Sequence, residues 1–154
     1  MLGAWRRGLT FRRKVRAAGL TIVRRDWVRI ETIRFTHWAD GSPLWPNVFA
    51  TPHYDLLAAY HDGVPLRDLP YWKWQVSLRG IDHPRPDEWI AEMALRLIRL
   101  HQDIRNNGYR LRSVADRIAV MEDGVLWDGG HRLACLAAEG WVVVPVVVVR
   151  RFTP

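Results

Sequence analysis

The residues best suited to chemistry in this chain form the run Asp128-Gly129-Gly130-His131-Arg132. An apolar segment, Val125-Leu126-Trp127, precedes them and an Ala/Leu-rich segment follows, the order of strand, turn and helix. The first turn of a helix leaves N–H groups unpaired and carries about half a positive charge. Glycines just before it let an anion reach the backbone without meeting a Cβ. His131 and Arg132 add donors at the same end, where a cation opposes the helix dipole at a cost of about 0.3–1 kcal/mol unless an anion offsets it. These residue types in this order predict a phosphate site. A plainer reading explains the same letters: Asp128 caps the helix, the glycines only turn the chain, and His131 and Arg132 face water. Asp128 also repels a phosphate unless Mg²⁺ binds there or Arg132 pairs with it.

Holding such a turn in place takes strands before it and a helix after it. Ile118 to Met121 and Val125 to Trp127 read as short strands joined through Glu122-Asp123-Gly124, because Asp-Gly between apolar runs is a tight-hairpin signal. A helix is expected from His131 to Glu139, stopping at Gly140, and then a strand from Val142 to Val149. The clearest helix covers 87–107. Asp87 and Glu88 occupy its first turn, Trp89, Met93, Leu97, Leu100 and Ile104 make an apolar stripe, and Asn106-Asn107-Gly108 ends it. The predicted fold class is α/β (α+β): one small mixed sheet holding 118–121, 125–127 and 142–149, with helices 87–107 and 131–139 packed on it.

The N-terminal half is less patterned. Trp5, Leu9, Phe11, Val15 and Leu20 do not share one helical stripe, so residues 1–25 are expected as a helical or loop extension. Val28, Ile30 and Ile33 alternate with Arg29, Glu31 and Arg34, which predicts a strand from Trp27 to about Phe35. Thr51-Pro52 reads as an N-cap with proline at the first helical position, opening a helix that stops at Gly63. Residues 64–86, which hold Pro65, Pro70, Pro84 and Pro86, are expected as loop, with a short strand at Trp74 to Leu78. Tyr71-Trp72-Lys73-Trp74 would sit in that loop, either flooring a pocket for a base or sugar or packing into the core.

Length and composition bound the function. At 154 residues, 49% hydrophobic and 25% charged, the chain is about one domain and is neither a disordered nor a membrane-spanning protein. Its longest apolar run, Trp141 to Val149, has strand length and contains Pro145. The single cysteine, Cys135, sits among Leu133, Ala134 and Leu136 as a small buried thiol, and a cytoplasmic location is expected. Net charge is +7, but residues 1–25 alone carry +8 and the remainder −1. The organisation predicted is a basic arm over 1–25 and a single domain over 26–154 with its core at 87–149. The arm could meet nucleic acid, anionic lipid or an acidic partner through charge, and deleting it should leave folding intact.

The run from Ile118 to Val146, with its hairpin, Asp128-Gly-Gly-His-Arg turn, Ala/Leu-rich helix, Gly140 and Val144-Pro145-Val146 strand, resembles the core of ParB/sulfiredoxin-superfamily domains. The likeness covers about 60 residues, including the helix ending at Asn107-Gly108, and does not extend to residues 1–86. Members include CTP-dependent chromosome-partitioning proteins, ATP-dependent sulfiredoxins and ATP/ADP-dependent free-serine kinases. The resemblance implies that Gly129, Gly130, His131 and Arg132 hold nucleotide phosphates. Gly130 stands where sulfiredoxins carry their catalytic cysteine, which argues against sulfinic-acid reduction. The further arginine-rich motif and helix-turn-helix of partitioning proteins do not follow the last strand, which argues against a DNA clamp.

Phosphoryl transfer needs a base or positioning carboxylate and usually a metal. The resemblance to serine-kinase-like members, whose base lies near the first strand, makes Glu31, His37 and Asp40 candidates beside Asp128. Each of those three reads more simply as a surface group on the exposed face of an edge strand. His53, His61, His83 and His101 have no metal-ligand spacing, and no metal site is assigned to them. The expected function is a nucleotide-dependent enzyme using ATP or a relative, with Mg²⁺, to phosphorylate a small-molecule hydroxyl. The rivals are a non-catalytic nucleotide-binding regulator, a nucleic-acid-binding protein anchored by residues 1–25, and a membrane-surface accessory protein held by the same arm. On this reading Arg132→Ala weakens ligand binding by about 1.5–3 kcal/mol and leaves folding stability nearly unchanged.

Overall fold

The structure is a computed structural model that describes residues 2–36, 43–60, 62–77 and 86–152, with side chains from Leu9 onward except that of Pro43. It is a mixed α+β fold built on a four-stranded sheet. The strands are β1 (Leu20–Arg29), β4 (Ile118–Met121), β5 (Leu126–Asp128) and β6 (Val143–Arg151), in the order β1-β6-β4-β5. β6 runs antiparallel to β1 and parallel to β4, and β4 pairs antiparallel with β5. The three C-terminal strands share one sheet as their sequence predicts, with small shifts: β5 begins at Leu126 and β6 extends to Arg151.

Alternation along the strands gives the sheet two buried faces. Ile118, Val120, Val144, Val146 and Val148 point to the larger core, which is completed by α2 (Pro52–Tyr60), α4 (Pro86–Asn107) and α5 (Gly130–Ala138). Ala119, Val147 and Val149 point the other way, where α1 (Leu2–Ala17) covers them with Phe11 and Val15. β6 is buried on both faces, which is why its sequence is a valine run rather than an alternating one.

The boundary drawn at residue 25 passes through β1, whose ladder with β6 runs from Leu20 opposite Arg151 to Arg29 opposite Val143. Leu20 belongs to this strand, not to α1, so the helix keeps a short i, i+4 stripe of Phe11 and Val15. Adding Leu20 to that stripe hides it. Burying those two side chains is worth roughly 1.5–3 kcal/mol each, so residues 1–25 are part of the fold and not a dispensable arm. The strand expected from Trp27 to Phe35 ends at Arg29. A 3₁₀ turn, Ile30–Thr32, follows and leads to β2 (Phe35–Thr36), which pairs with β3 (Pro43–Trp45). Ile30 and Ile33 are both buried by that turn, so their spacing reflects a three-residue turn and not strand alternation.

The helix opened by Thr51-Pro52 forms as predicted, with the Tyr54 N–H donating to Thr51 Oγ1 at 3.2 Å. The aromatic cluster is not in a loop. Pro70 occupies the first position of α3 (Pro70–Gln75), where its missing N–H costs nothing, and no strand forms among the described residues there. α4 matches its predicted extent but buries a different arc: Ile90, Ala94, Leu97, Ile98, His101 and Ile104. Trp89, Met93 and Leu100 are only half-buried, because they border cavities. No helix among the described residues is long and apolar enough to cross a membrane.

Candidate functional site

The Asp128–Arg132 turn joins the end of β5 to α5 and lies between two cavities. Gly129 is the helix N-cap with φ 95, a left-handed conformation that L side chains rarely adopt. A Cβ on Gly129 would also come within 3.3 Å of Ile118 Cα, and one on Gly130 within 3.3 Å of the Leu126 side chain. The left-handed φ and the close approach to the β4 backbone are sufficient reason for Gly129, whereas Gly130 meets only a Leu126 methyl that can shift. Asp128 does not cap α5; its carboxylate forms an ion pair with Lys14 of α1 at 3.1 Å. Lys14 also lies over the Trp127 ring, 5.2 Å from its centroid.

His131 and Arg132 diverge from the turn. His131 lies against His53 of α2, ring centroids 5.0 Å apart, and His53 in turn meets Trp74 at 4.9 Å and Tyr71 at 5.5 Å. Burial pushes His53 down to about 3, with a smaller push from His131. Burial also lowers the His131 pKa, Arg132 adds to that, and Asp128 opposes it. Both rings are therefore neutral at pH 7, each with one N–H donor and one acceptor. They border a cavity of about 550 Å³ whose other walls include Phe35, Trp45, Trp74, Trp89 and Met93. Trp45 packs edge-on against Trp74, centroids 5.4 Å apart, which braces two of those walls.

Arg132 turns the other way. Its Nη1 donates to the Ala115 carbonyl at 2.6 Å and to the Arg117 carbonyl at 3.0 Å, tying α5 to the segment that enters β4. Tyr109 donates to the Asp116 carbonyl beside it, and burial raises the Tyr109 pKa. The second cavity, about 820 Å³, lies on this side and is bordered by α1, the end of α4 and residues 108–116. Asp128, Arg132 and Leu100 border both cavities.

The structure therefore brings Asp128, Gly129, Gly130, His131 and Arg132 to the junction of two cavities, but does not bring Glu31 there. Glu31 sits in the 3₁₀ turn after β1, accepts a 2.6 Å hydrogen bond from Arg29 and borders neither cavity. That hydrogen bond holds its carboxyl below the usual range. His37 and Asp40 lie outside the described residues, although Thr36 borders the aromatic cavity. Sequence reasoning missed His53, Trp45 and Trp89 as site residues. Thr51-Pro52 fixes His53 in the first turn of α2, but only tertiary packing sets that turn against α5. Cys135 is buried, which pushes its thiol up to about 12, so it is no nucleophile. No family model, curated protein or solved structure matches the chain.

Proposed function

We propose that the protein binds a nucleotide, ATP or a relative, in the aromatic cavity and transfers its terminal phosphoryl group to a small-molecule hydroxyl. One observation carries this reading: a single cavity of about 550 Å³ has the Gly129–Arg132 turn and neutral His131 at one side and Trp45, Trp74 and Trp89 on the others. A flat base suits the tryptophan faces, where stacking is worth about 1–3 kcal/mol per base. Phosphates suit the unpaired N–H groups of the α5 first turn together with a His131 ring N–H. The likeness of the turn to ParB/sulfiredoxin-superfamily domains supports the same ligand. Asp128 is the candidate carboxylate for the acceptor hydroxyl, since it borders the cavity and Glu31 does not.

Mg²⁺ is commonly held by one or two carboxylates together with substrate phosphates. Asp128 fits that requirement, and the ion would supply neutralisation of charge on the phosphates. A cytoplasmic location suits such a ligand. Arg12, Arg13 and Arg16 remain exposed on α1, leaving a contact with an anionic surface, nucleic acid or lipid, as a secondary role.

Tryptophan fluorescence and melting curves test the binding. ADP and ATP, with and without Mg²⁺, should quench emission and stabilise the fold by about 2.7 kcal/mol at a hundred times the dissociation constant. Trp74→Ala should weaken ADP about tenfold or more, consistent with loss of one stacking face. Absence of any nucleotide effect on wild type would rule the reading out.

A further inference from the structure

The second cavity has no role in nucleotide binding as described above, and its charges are unevenly paired. Its walls carry Lys14, Arg110, Arg112 and Arg132 against Asp103, Asp116 and Asp128. Among the described residues, Asp128 alone of these acids has a cationic partner, Lys14; Asp116 takes the Ser113 N–H at 2.6 Å and its hydroxyl at 3.1 Å, and Asp103 takes Asn107 Nδ2 at 2.8 Å, neutral donors that leave their charge in place. The four cations therefore exceed the three acids by one charge. Arg132 spends Nη1 on two carbonyls and Arg110 spends Nε on the Asn107 carbonyl at 3.3 Å, and carbonyls satisfy donors without cancelling charge. Among the described residues none of these three guanidiniums is within ion-pair distance of a carboxylate. Arg132 is moreover half-buried at the positive end of α5, where the helix dipole adds to its charge instead of opposing it.

An anion in this cavity would relieve that excess. Guanidinium groups bind phosphate or carboxylate oxygens as planar forks; Arg110 and Arg112 border this cavity and are exposed, and Asp128 borders both it and the aromatic cavity. We propose that this cavity is the acceptor site and that the acceptor is a small phosphomonoester bearing a free hydroxyl, its phosphate on Arg110 and Arg112 and its hydroxyl toward Asp128. This assignment rests on the nucleotide reading of the aromatic cavity. In the transfer, the acceptor oxygen forms a bond to the γ-phosphorus. The bond from that phosphorus to the β-phosphate oxygen breaks, its electron pair leaving on the nucleoside diphosphate, and the hydroxyl proton passes to Asp128. A cavity of about 820 Å³ lies within the range of small-molecule sites.

Titration calorimetry with glycerol 3-phosphate, with glycerol as the uncharged control and with ADP measured separately, tests the assignment. Glycerol 3-phosphate should bind, glycerol should not, and saturating ADP should leave the phosphomonoester site open. Arg110→Gln with Arg112→Gln should weaken glycerol 3-phosphate tenfold or more while ADP affinity stays within twofold. Arg112→Gln alone serves as the control if loss of the Arg110–Asn107 bond destabilises the double variant. ADP binding without phosphomonoester binding, phosphomonoester affinity unmoved by either variant, or direct competition between the two ligands would overturn the second site and leave the nucleotide reading intact. Phosphomonoester binding with no ADP binding would remove the nucleotide reading and the acceptor role together.

Discussion

On the His131 side of the Asp128–Arg132 turn the walls are tryptophan, phenylalanine and two neutral histidines; on the Arg132 side they are arginine, lysine and aspartate around hydrogen-bonded backbone. Adjacent residues cause this difference. Successive side chains of a helix point about 100° apart, so two donors that sit together in the sequence leave one helix end in different directions. A motif that reads as a single phosphate cradle becomes a partition between an aromatic cavity and a charged one. Asp128 and Arg132 border both.

The largest test of that partition is removal of residues 1–25. This takes away Thr10, Phe11 and Lys14 from the charged cavity and most of the β1 ladder, and uncovers Val147 and Val149. Cooperative urea unfolding should be lost. A soluble truncation with a two-state transition would mean that the aromatic cavity stands without its neighbour.

A smaller effect is expected from Arg132→Ala, which removes the donor to the Ala115 and Arg117 carbonyls. Hydrogen bonds from a charged group are worth about 1.5–3 kcal/mol, so stability in urea should fall by at least that much. This corrects the expectation, drawn from the helix dipole alone, that folding would hardly change. Unchanged stability would free Arg132 for ligand and erase its structural side of the comparison.

The smallest effect is in pH dependence, and it belongs to the aromatic side. His53 has a folded pKa of about 3 against an ordinary 6.5, so the unfolded chain binds its proton first as pH falls. The associated stability is complete above about 6.5 and is lost as pH drops toward 3, with a limiting slope of about 1.4 kcal/mol per pH unit for one site. His131 adds in the same direction. Melting curves of wild type and His53→Phe between pH 7 and pH 5 should differ in slope, the variant being flatter. Parallel slopes would show that His53 is not held neutral by burial.

Local signals in this sequence were strong where a residue's neighbours along the chain decide its state. Asp123-Gly124 between apolar runs made the β4–β5 hairpin, Thr51-Pro52 started α2, Gly140 ended α5, and 87–107 was legible as α4. Charge-rich β1 was not legible over its first half, because an edge strand can keep Arg24 and Arg25 in water while its backbone pairs with β6. Pro70 looked like a breaker because position in a helix, not identity, decides what proline does.

That a Gly-Gly turn joins a short strand to an Ala/Leu-rich helix is legible from the residues alone, since φ at Gly129 and the apolar face of α5 are local properties. What that turn faces depends on how distant elements pack around it. His53, Trp45, Trp74 and Trp89 come from four separate segments, and Lys14 reaches Asp128 from more than a hundred residues earlier. Contacts of that separation depend on how elements pack, and packing is set by the summed fit of buried faces rather than by any motif. The same packing removed Glu31 from the site while leaving its strand in the sheet's neighbourhood, because a 3₁₀ turn after Arg29 directs it to Arg29 and the solvent.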